Sequence, residues 1–232
     1  MNYGYASAEG LTADLSETDE LNRHWIQLYQ HVAGAVDLQG LTVVEVGSGR
    51  GGGASFIKRY LKPATVIGVD LSKHAVEWCR RNHRVDGLEF RTGDAEKLPF
   101  DDASVDAVVN VESSHCYPSF DAFLSEVRRV LRPGGHFLHA DFRARENVPA
   151  WLESLKNSGL RLDRETDITL NVVTALRRDN AHKLALIDRL VPAPLRSSFL
   201  DFAAVEGTAL FEGFKSGRFC YRSFVLQKGT SV

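Results

Sequence analysis

Glu45-Val46-Gly47-Ser48-Gly49-Arg50-Gly51-Gly52-Gly53 closes the apolar run at residues 41–46 (LTVVEV) and opens a helical pattern over 52–60. Glycines clustered at such a junction let the chain turn sharply and let a ligand reach bare backbone amides beside a helix N-terminus. Outward from this loop the same unit repeats. Residues 64–70 (ATVIGVD, after Pro63), 88–92 (LEFRT), 105–111 (VDAVVNV) and 136–142 (HFLHADF) are short runs rich in β-branched and apolar residues. Near-continuous runs of this kind suit strands buried on both faces of a parallel sheet. Helical patterns over 52–60, 72–84 and 119–131 separate them. The last places Phe120, Phe123, Leu124, Val127, Val130 and Leu131 at helical spacing, then stops at Arg132-Pro133-Gly134-Gly135. Repeated βα units with right-handed crossovers predict a Rossmann-like, doubly wound α/β sheet.

The two ends read differently. Residues 11–35 predict a leading helical segment with Leu21, Trp25, Leu28 and Tyr29 on one face. Residues 147–205 read as mostly helical, interrupted by Pro192 and Pro194, with no strong strand before Gly207. Residues 208–214 and 219–226 flank Lys215-Ser216-Gly217-Arg218, which predicts an antiparallel hairpin closing one sheet edge. The expectation is one domain over 1–232: a helical lid (1–36), a cofactor-binding core (37–146), a helical cap inserted after strand 5 (147–205) and a C-terminal hairpin (206–230).

Composition narrows the function classes. In 232 residues, 44% are hydrophobic and 25% charged, with a net charge of −2. That balance argues against a disordered chain and against a nucleic-acid binder, which needs a basic stripe. No apolar run is long enough to span a membrane, and residues 1–10 (MNYGYASAEG) lack the basic leader and apolar run of a secretory signal. Cys79, Cys116 and Cys220 are widely spaced and form no CxxC pair. They read as reduced thiols, with neither a disulfide frame nor a metal site. The expected location is cytoplasmic. The acidic leading segment (Glu9, Asp14, Glu17, Asp19, Glu20) and the helical cap offer surfaces for homo-oligomer formation.

Taken alone, the glycine loop is ambiguous. Gly47, Gly49 and Gly52 satisfy the dinucleotide fingerprint GxGxxG, while Glu45 with Gly47, Gly49 and Gly51 satisfies the [DE]xGxGxG of nucleoside-sulfonium binders. Asp70, ending the second strand, suits both ligands, because a carboxylate there can take ribose hydroxyls. It can equally cap the next helix, although Ser72 is available for that. After the third strand comes Gly93-Asp94-Ala95-Glu96-Lys97-Leu98-Pro99-Phe100. There Asp94 can accept from an adenine amino group, with the Ala95 amide beside it, or simply form an Asx turn. Asn110-Val111-Glu112-Ser113-Ser114-His115 leaves the fourth strand at its carboxyl end, where ligands of open α/β sheets lie.

The series EVGSGRGGG, VIGVDLS, GDAEKLPF and LRPGG, in this order and spacing over residues 41–142, resembles the class I S-adenosylmethionine-dependent methyltransferases. GGGAS, GDAEKLPFDD, NVESSHCYPSF and VEGTALFEGFKSGRFCYRSF resemble, more narrowly, the phthiotriolone dimycocerosate methyltransferase-like branch, which acts on polyketide lipids and related natural products. The resemblance implies S-adenosyl-L-methionine as cofactor and S-adenosyl-L-homocysteine as product. It implies a seven-stranded sheet of order 3-2-1-4-5-7-6 with strand 7 antiparallel. It also implies Gly47, Ser48 and Gly49 at the methionine end, Asp70 at the ribose and Asp94 with Ala95 at the adenine, with Leu71 among the cofactor-binding residues. Glu45 would orient the loop or meet the methionine ammonium through water, and Val111 would also bind the cofactor. Tyr29 would close over the cofactor, or else pack in the core.

Transfer to an oxygen acceptor requires a proton to leave, and a histidine with an ordinary pKa suits that task. His115 is the candidate general base, with Glu112 either orienting its imidazole or contacting substrate. His136 and His139 alternate along the fifth strand and read as structural. Phe199, Phe202, Phe211 and Phe214 either line an apolar acceptor pocket or belong to the core. The expected function is methylation of a hydroxyl on a small polyketide, lipid or other natural product. The alternatives are a C-methyltransferase, an NAD-dependent oxidoreductase, or a non-catalytic adenosyl-binding module.

Overall fold

The computed structural model describes residues 2–7 and 15–230. Two helices lead, α1 (Glu17–Glu20) and α2 (Arg23–Ala33), followed by β1 (Thr42–Val46), α3 (Gly52–Tyr60), β2 (Thr65–Asp70), α4 (Lys73–Asn82), β3 (Leu88–Thr92) and β4 (Val105–Val111). Then come α5 (Phe120–Val130), β5 (Leu131–Ala144), α6 (Val148–Asn157) and β6 (Arg161–Asp167). The chain ends with α7 (Thr169–Arg178), α8 (Asn180–Leu190), α9 (Arg196–Phe202), α10 (Ala209–Lys215) and β7 (Phe219–Gln227). The seven strands lie in the order β3-β2-β1-β4-β5-β7-β6, with β1 to β5 parallel and β7 antiparallel to β5 and β6. The expected α/β fold and strand order are both present. The predicted leading helix appears as α1 and α2, while Glu9 and positions 11–14, Asp14 among them, lie outside the described residues.

The central strands form because their apolar runs are covered on both sides. On one face Leu28, Phe56, Ile57, Val172, Phe211 and Phe214 pack down from α2, α3, α7 and α10. On the other, Phe123, Val127, Trp151 and Leu155 pack from α5 and α6.

Two sequence expectations are corrected. Residues 209–215 form α10, not the first arm of a hairpin: the Thr208 hydroxyl accepts the Phe211 N–H at 3.5 Å as an N-cap, and Phe211 and Phe214, one helical turn apart, are both fully buried. The edge strand beside β7 is instead β6, inside the stretch read as helical. Its sequence RLDRETD carries no apolar run because one strand alone pairs with it and its side chains stand largely in solvent. The helices α7 to α10 consequently enter between β6 and β7, one strand later than expected. Among the described residues, no helix is long and apolar enough to cross a membrane.

Strand register assembles the carboxyl edge. Val46 pairs with Val69, Asp70 with Thr92, Val111 with Ala140, and Phe142 with Tyr221. The residues just past these ends therefore stand side by side along one crest. Beneath it, Phe123 is fully buried between Tyr117 (5.0 Å between ring centroids) and Phe137 (5.7 Å). Phe123→Ala is expected to cost about 3–5 kcal/mol, read as a lowered urea midpoint; a cost below about 1 kcal/mol would contradict this packing.

Candidate active site

The glycine loop is built by its backbone. The Gly47 and Ser48 N–H groups both donate to the Val69 carbonyl, at 2.8 and 3.0 Å. Gly47, Gly49 and Gly51 take φ values of +75°, +52° and +73°, which side chains disfavour. A Cβ at Gly47 would collide with Ser113 and Tyr117, and one at Gly53 with Tyr29 and Glu45, so both positions must stay bare. The Gly49 N–H donates to Asp70 Oδ2 at 2.7 Å, and the Ser72 N–H to Asp70 Oδ1 at 2.9 Å. Ser72 itself caps α4 through Ala75, which leaves Asp70 bracing the loop and facing the crest.

Gly47, Asp70, Leu71, Asp94, Ala95 and Glu112 line one cavity of about 290 Å³. Ser113, Cys116 and Tyr117, which sequence reasoning did not select, line it too. Asp94 Oδ1 accepts the Glu96 N–H at 2.9 Å, an Asx turn that fixes the carboxylate at the rim. Val111 is buried just before Glu112, and Ser48 is buried in the loop with its hydroxyl unpartnered. Glu45 lies fully buried under the loop; burial pushes it up to about 7, against the opposing pull of the nearby Tyr29 hydroxyl and Ala54 amide. Tyr29 packs on Gly53 and Glu45 and is not part of the cavity wall.

His115, on a short 3-10 turn (Ser114–Cys116), has its Nδ1 2.8 Å from Asp141 Oδ1. Asp141 is wholly buried on β5, one residue past its last pair with β4. It also accepts the His115 N–H (3.0 Å), the Ser114 hydroxyl (2.6 Å) and the Phe142 N–H (2.8 Å), and pairs with Arg143 at 3.2 Å. Burial alone would raise the Asp141 carboxyl, but the His115 hydrogen bond and the neighbouring cations hold it well below the carboxylate range. An ionised carboxylate only accepts, so His115 Nδ1 carries the proton and Nε2 keeps its lone pair. Burial pulls the imidazole down, yet Asp141 and then Glu112 hold it above the ordinary 6.5.

Glu112 does not orient that ring. Its Oε1 accepts the Tyr3 N–H at 2.7 Å and the Tyr221 hydroxyl at 2.9 Å, and burial pushes the carboxyl up to about 7. Glu112 also has a positive φ of +49°, which turns the chain out of β4 toward the cavity. Of the four phenylalanines proposed for an apolar pocket, Phe211 and Phe214 are core and Phe199 and Phe202 are exposed on α9. His139 is fully buried and stacked on Phe137, in keeping with a structural role.

Residues 44–139 match the family model described as a methyltransferase domain. Over 196 residues the chain is 47% identical to a fatty-acid O-methyltransferase of Mycolicibacterium smegmatis, covering 84% of this chain and 72% of that protein. Over 228 residues it is 42% identical to a phthiotriol/phenolphthiotriol dimycocerosates methyltransferase of Mycobacterium tuberculosis, covering 98% of this chain and 84% of the relative. The chain belongs to the S-adenosylmethionine-dependent methyltransferases. A geranyl diphosphate C-methyltransferase of Streptomyces coelicolor A3(2), solved with S-adenosyl-L-homocysteine, shares its fold at a TM-score of 0.73 and 19% identity, covering 98% and 92% of the two chains. S-adenosylmethionine is accordingly the cofactor, and the NAD-dependent reading falls.

The methyltransferase cavity fits that cofactor: Asp70 and Asp94 can accept from a nucleoside, and the bare floor at Gly47 admits close approach. The residue that sequence reasoning missed is Asp141. Its signal was its place on the fifth strand, beside the turn carrying His115, once Val111 is known to pair with Ala140. Replacing Asp141 by Asn removes the charge facing the imidazolium, so the His115 pKa should fall below its value in the unaltered protein. A side-chain NMR titration measures it, and an unchanged or higher value would contradict the pairing.

Proposed function

We propose that this methyltransferase transfers the methyl group to a hydroxyl of an apolar lipid or polyketide-like acceptor, with His115 as general base. The observation that carries the reading is the His115–Asp141 pair, which leaves a basic Nε2 on the turn after β4; His115 itself is not in the cavity lining, but its chain neighbours Ser113 and Cys116 are. The names of the relatives, a fatty-acid O-methyltransferase and a dimycocerosates methyltransferase, support an apolar acceptor and oxygen chemistry.

S-adenosylmethionine supplies an already activated methyl group for in-line displacement. The protein's contribution is therefore alignment, a term worth about 7–11 kcal/mol at best. In this reading Asp70 and Leu71 hold the ribose, Asp94 and Ala95 the adenine, and Gly47, Ser48 and Gly49 the methionine end. Val111 completes the wall, while Glu45 and Tyr29 support the loop from below. His115 Nε2 would take the acceptor's proton as the acceptor oxygen displaces the sulfur at the methyl carbon, the C–S bond breaking to leave S-adenosylhomocysteine, and Asp141 would stabilise the resulting imidazolium through Nδ1–H. Glu112, held neutral or singly charged near neutral pH, contacts the acceptor's polar end. Tyr3 and residues 2–7 close that end of the site as a lid, since Tyr3 is hydrogen-bonded to Glu112 and its ring packs on Phe142 and Phe214. Helices α7 to α10 select the acceptor.

His115→Ala, assayed with S-adenosylmethionine and both hydroxylated and carboxylic long-chain acceptors, separates the possibilities. A hydroxyl must be deprotonated, so its turnover should fall about 10²–10⁴-fold while cofactor affinity holds. A carboxylic acid is ionised at neutral pH and needs no base. Methylation of carboxylates or carbon alone, or an undiminished rate on a hydroxyl, would overturn the reading.

A further inference from the structure

Three polar side chains form a bracket between β1 and β4 that none of the roles above uses. Asn110, fully buried at the end of β4, donates from Nδ2 to the Val46 carbonyl at 2.9 Å, and the same nitrogen lies 2.7 Å from Ser113 Oγ and 3.0 Å from the Tyr117 hydroxyl. Ser113 Oγ and the Tyr117 hydroxyl are 2.9 Å apart, and Ser113 Oγ is 3.3 Å from the Val46 carbonyl. The amide orientation is fixed by that carbonyl, because the alternative would face oxygen to oxygen.

Counting protons shows what the bracket leaves over. The assignment that gives every hydrogen a partner inside the bracket sends the two Nδ2 hydrogens to Val46 and to the Tyr117 oxygen, the Tyr117 proton to Ser113, and the Ser113 proton to Val46, while the buried Asn110 Oδ1 has no partner among the described residues. Every hydrogen then points inward. In this assignment the Tyr117 oxygen keeps one lone pair, on a residue that lines the cavity and 2.9 Å from where a Gly47 Cβ would stand. Burial, with Asp141 and Asp70 adding to it, raises the Tyr117 pKa, so the group stays a neutral phenol.

Its place along the crest gives it a target. The strand order lines up Asp94 after β3, Asp70 at β2, Gly47 after β1, Ser113 and Tyr117 after β4, and Asp141 on β5. With adenine and ribose at the first two, the sulfur falls over Gly47, on the way to His115. We propose that Tyr117, held by Asn110 and Ser113, presents its oxygen to the sulfonium end of the cofactor, orienting the methyl group and preferring the charged cofactor over its neutral thioether product. This rests on the cofactor placement above and extends it to a residue that distinguishes cofactor from product.

Calorimetry with Tyr117→Phe tests it, since the ring and its packing on Phe123 remain. The variant should bind S-adenosylmethionine about two- to five-fold more weakly, the range expected for losing one oxygen contact to an activated methyl group. Its affinity for S-adenosylhomocysteine should hold. Ser113→Ala, which loosens the same oxygen, should shift the ratio in the same direction. Equal weakening toward both ligands, or none toward either, would overturn the proposal. Failure of the unaltered protein to bind either ligand would instead overturn the cofactor placement on which it rests.

Discussion

The carboxylate of Asp70 accepts the Gly49 amide at 2.7 Å across the crest of the sheet, and the geometry of the site follows from that contact. The loop between β1 and α3 carries three positive-φ glycines and would have many conformations if left to itself. Two amides tied to the Val69 carbonyl and one tied to Asp70 reduce that freedom to a single path. An ionised carboxylate has about four acceptor positions, and the Gly49 and Ser72 amides use two. The same side chain can thus organise the empty loop and still receive the hydroxyls of a ribose. Loop order and ligand binding are then linked: removing the charge would disturb both.

The parallel sheet turns this local anchor into a linear site. Adjacent strands stand about 4.8 Å apart, so the residues following β3, β2, β1, β4 and β5 meet successive parts of an elongated ligand. At the far end of the line, Asp141 combines burial with several donors and stays ionised where an isolated carboxylate would not. Glu112, one strand away at the cavity wall, with two hydrogen-bond donors and no cation on it, is pushed by desolvation to about 7. Two carboxylates on neighbouring strand ends therefore shift in opposite directions because of what donates to them, and the one held low contacts the imidazole.

Much of the core was legible in the chain. The runs TVVEV and VDAVVNV are apolar because both faces are covered, and the glycine loop must carry glycine whatever else it binds. Asp70 and Asp94 could be picked out because each directly ends or follows a recognisable strand. The pairings that define the catalytic end were not legible. Tyr3 reaches Glu112 over a separation of 109 residues, and His115 reaches Asp141 through a register that no local pattern encodes. Edge strand β6 was hidden because its solvent-facing charges conceal the alternation, and α10 was misread because Phe211 and Phe214 suit a buried strand as well as a buried helix face.

A crystal structure with S-adenosyl-L-homocysteine bears most directly on the central claim, that an adenosyl cofactor lies along the crest with its sulfur at the end of β1, on the side facing β4. The account predicts ribose hydroxyls on Asp70, the adenine amino group on Asp94, and the homocysteine sulfur above Gly47 between Asp70 and His115. A nucleoside lying elsewhere, or reversed so that the adenine meets Glu112, would contradict it.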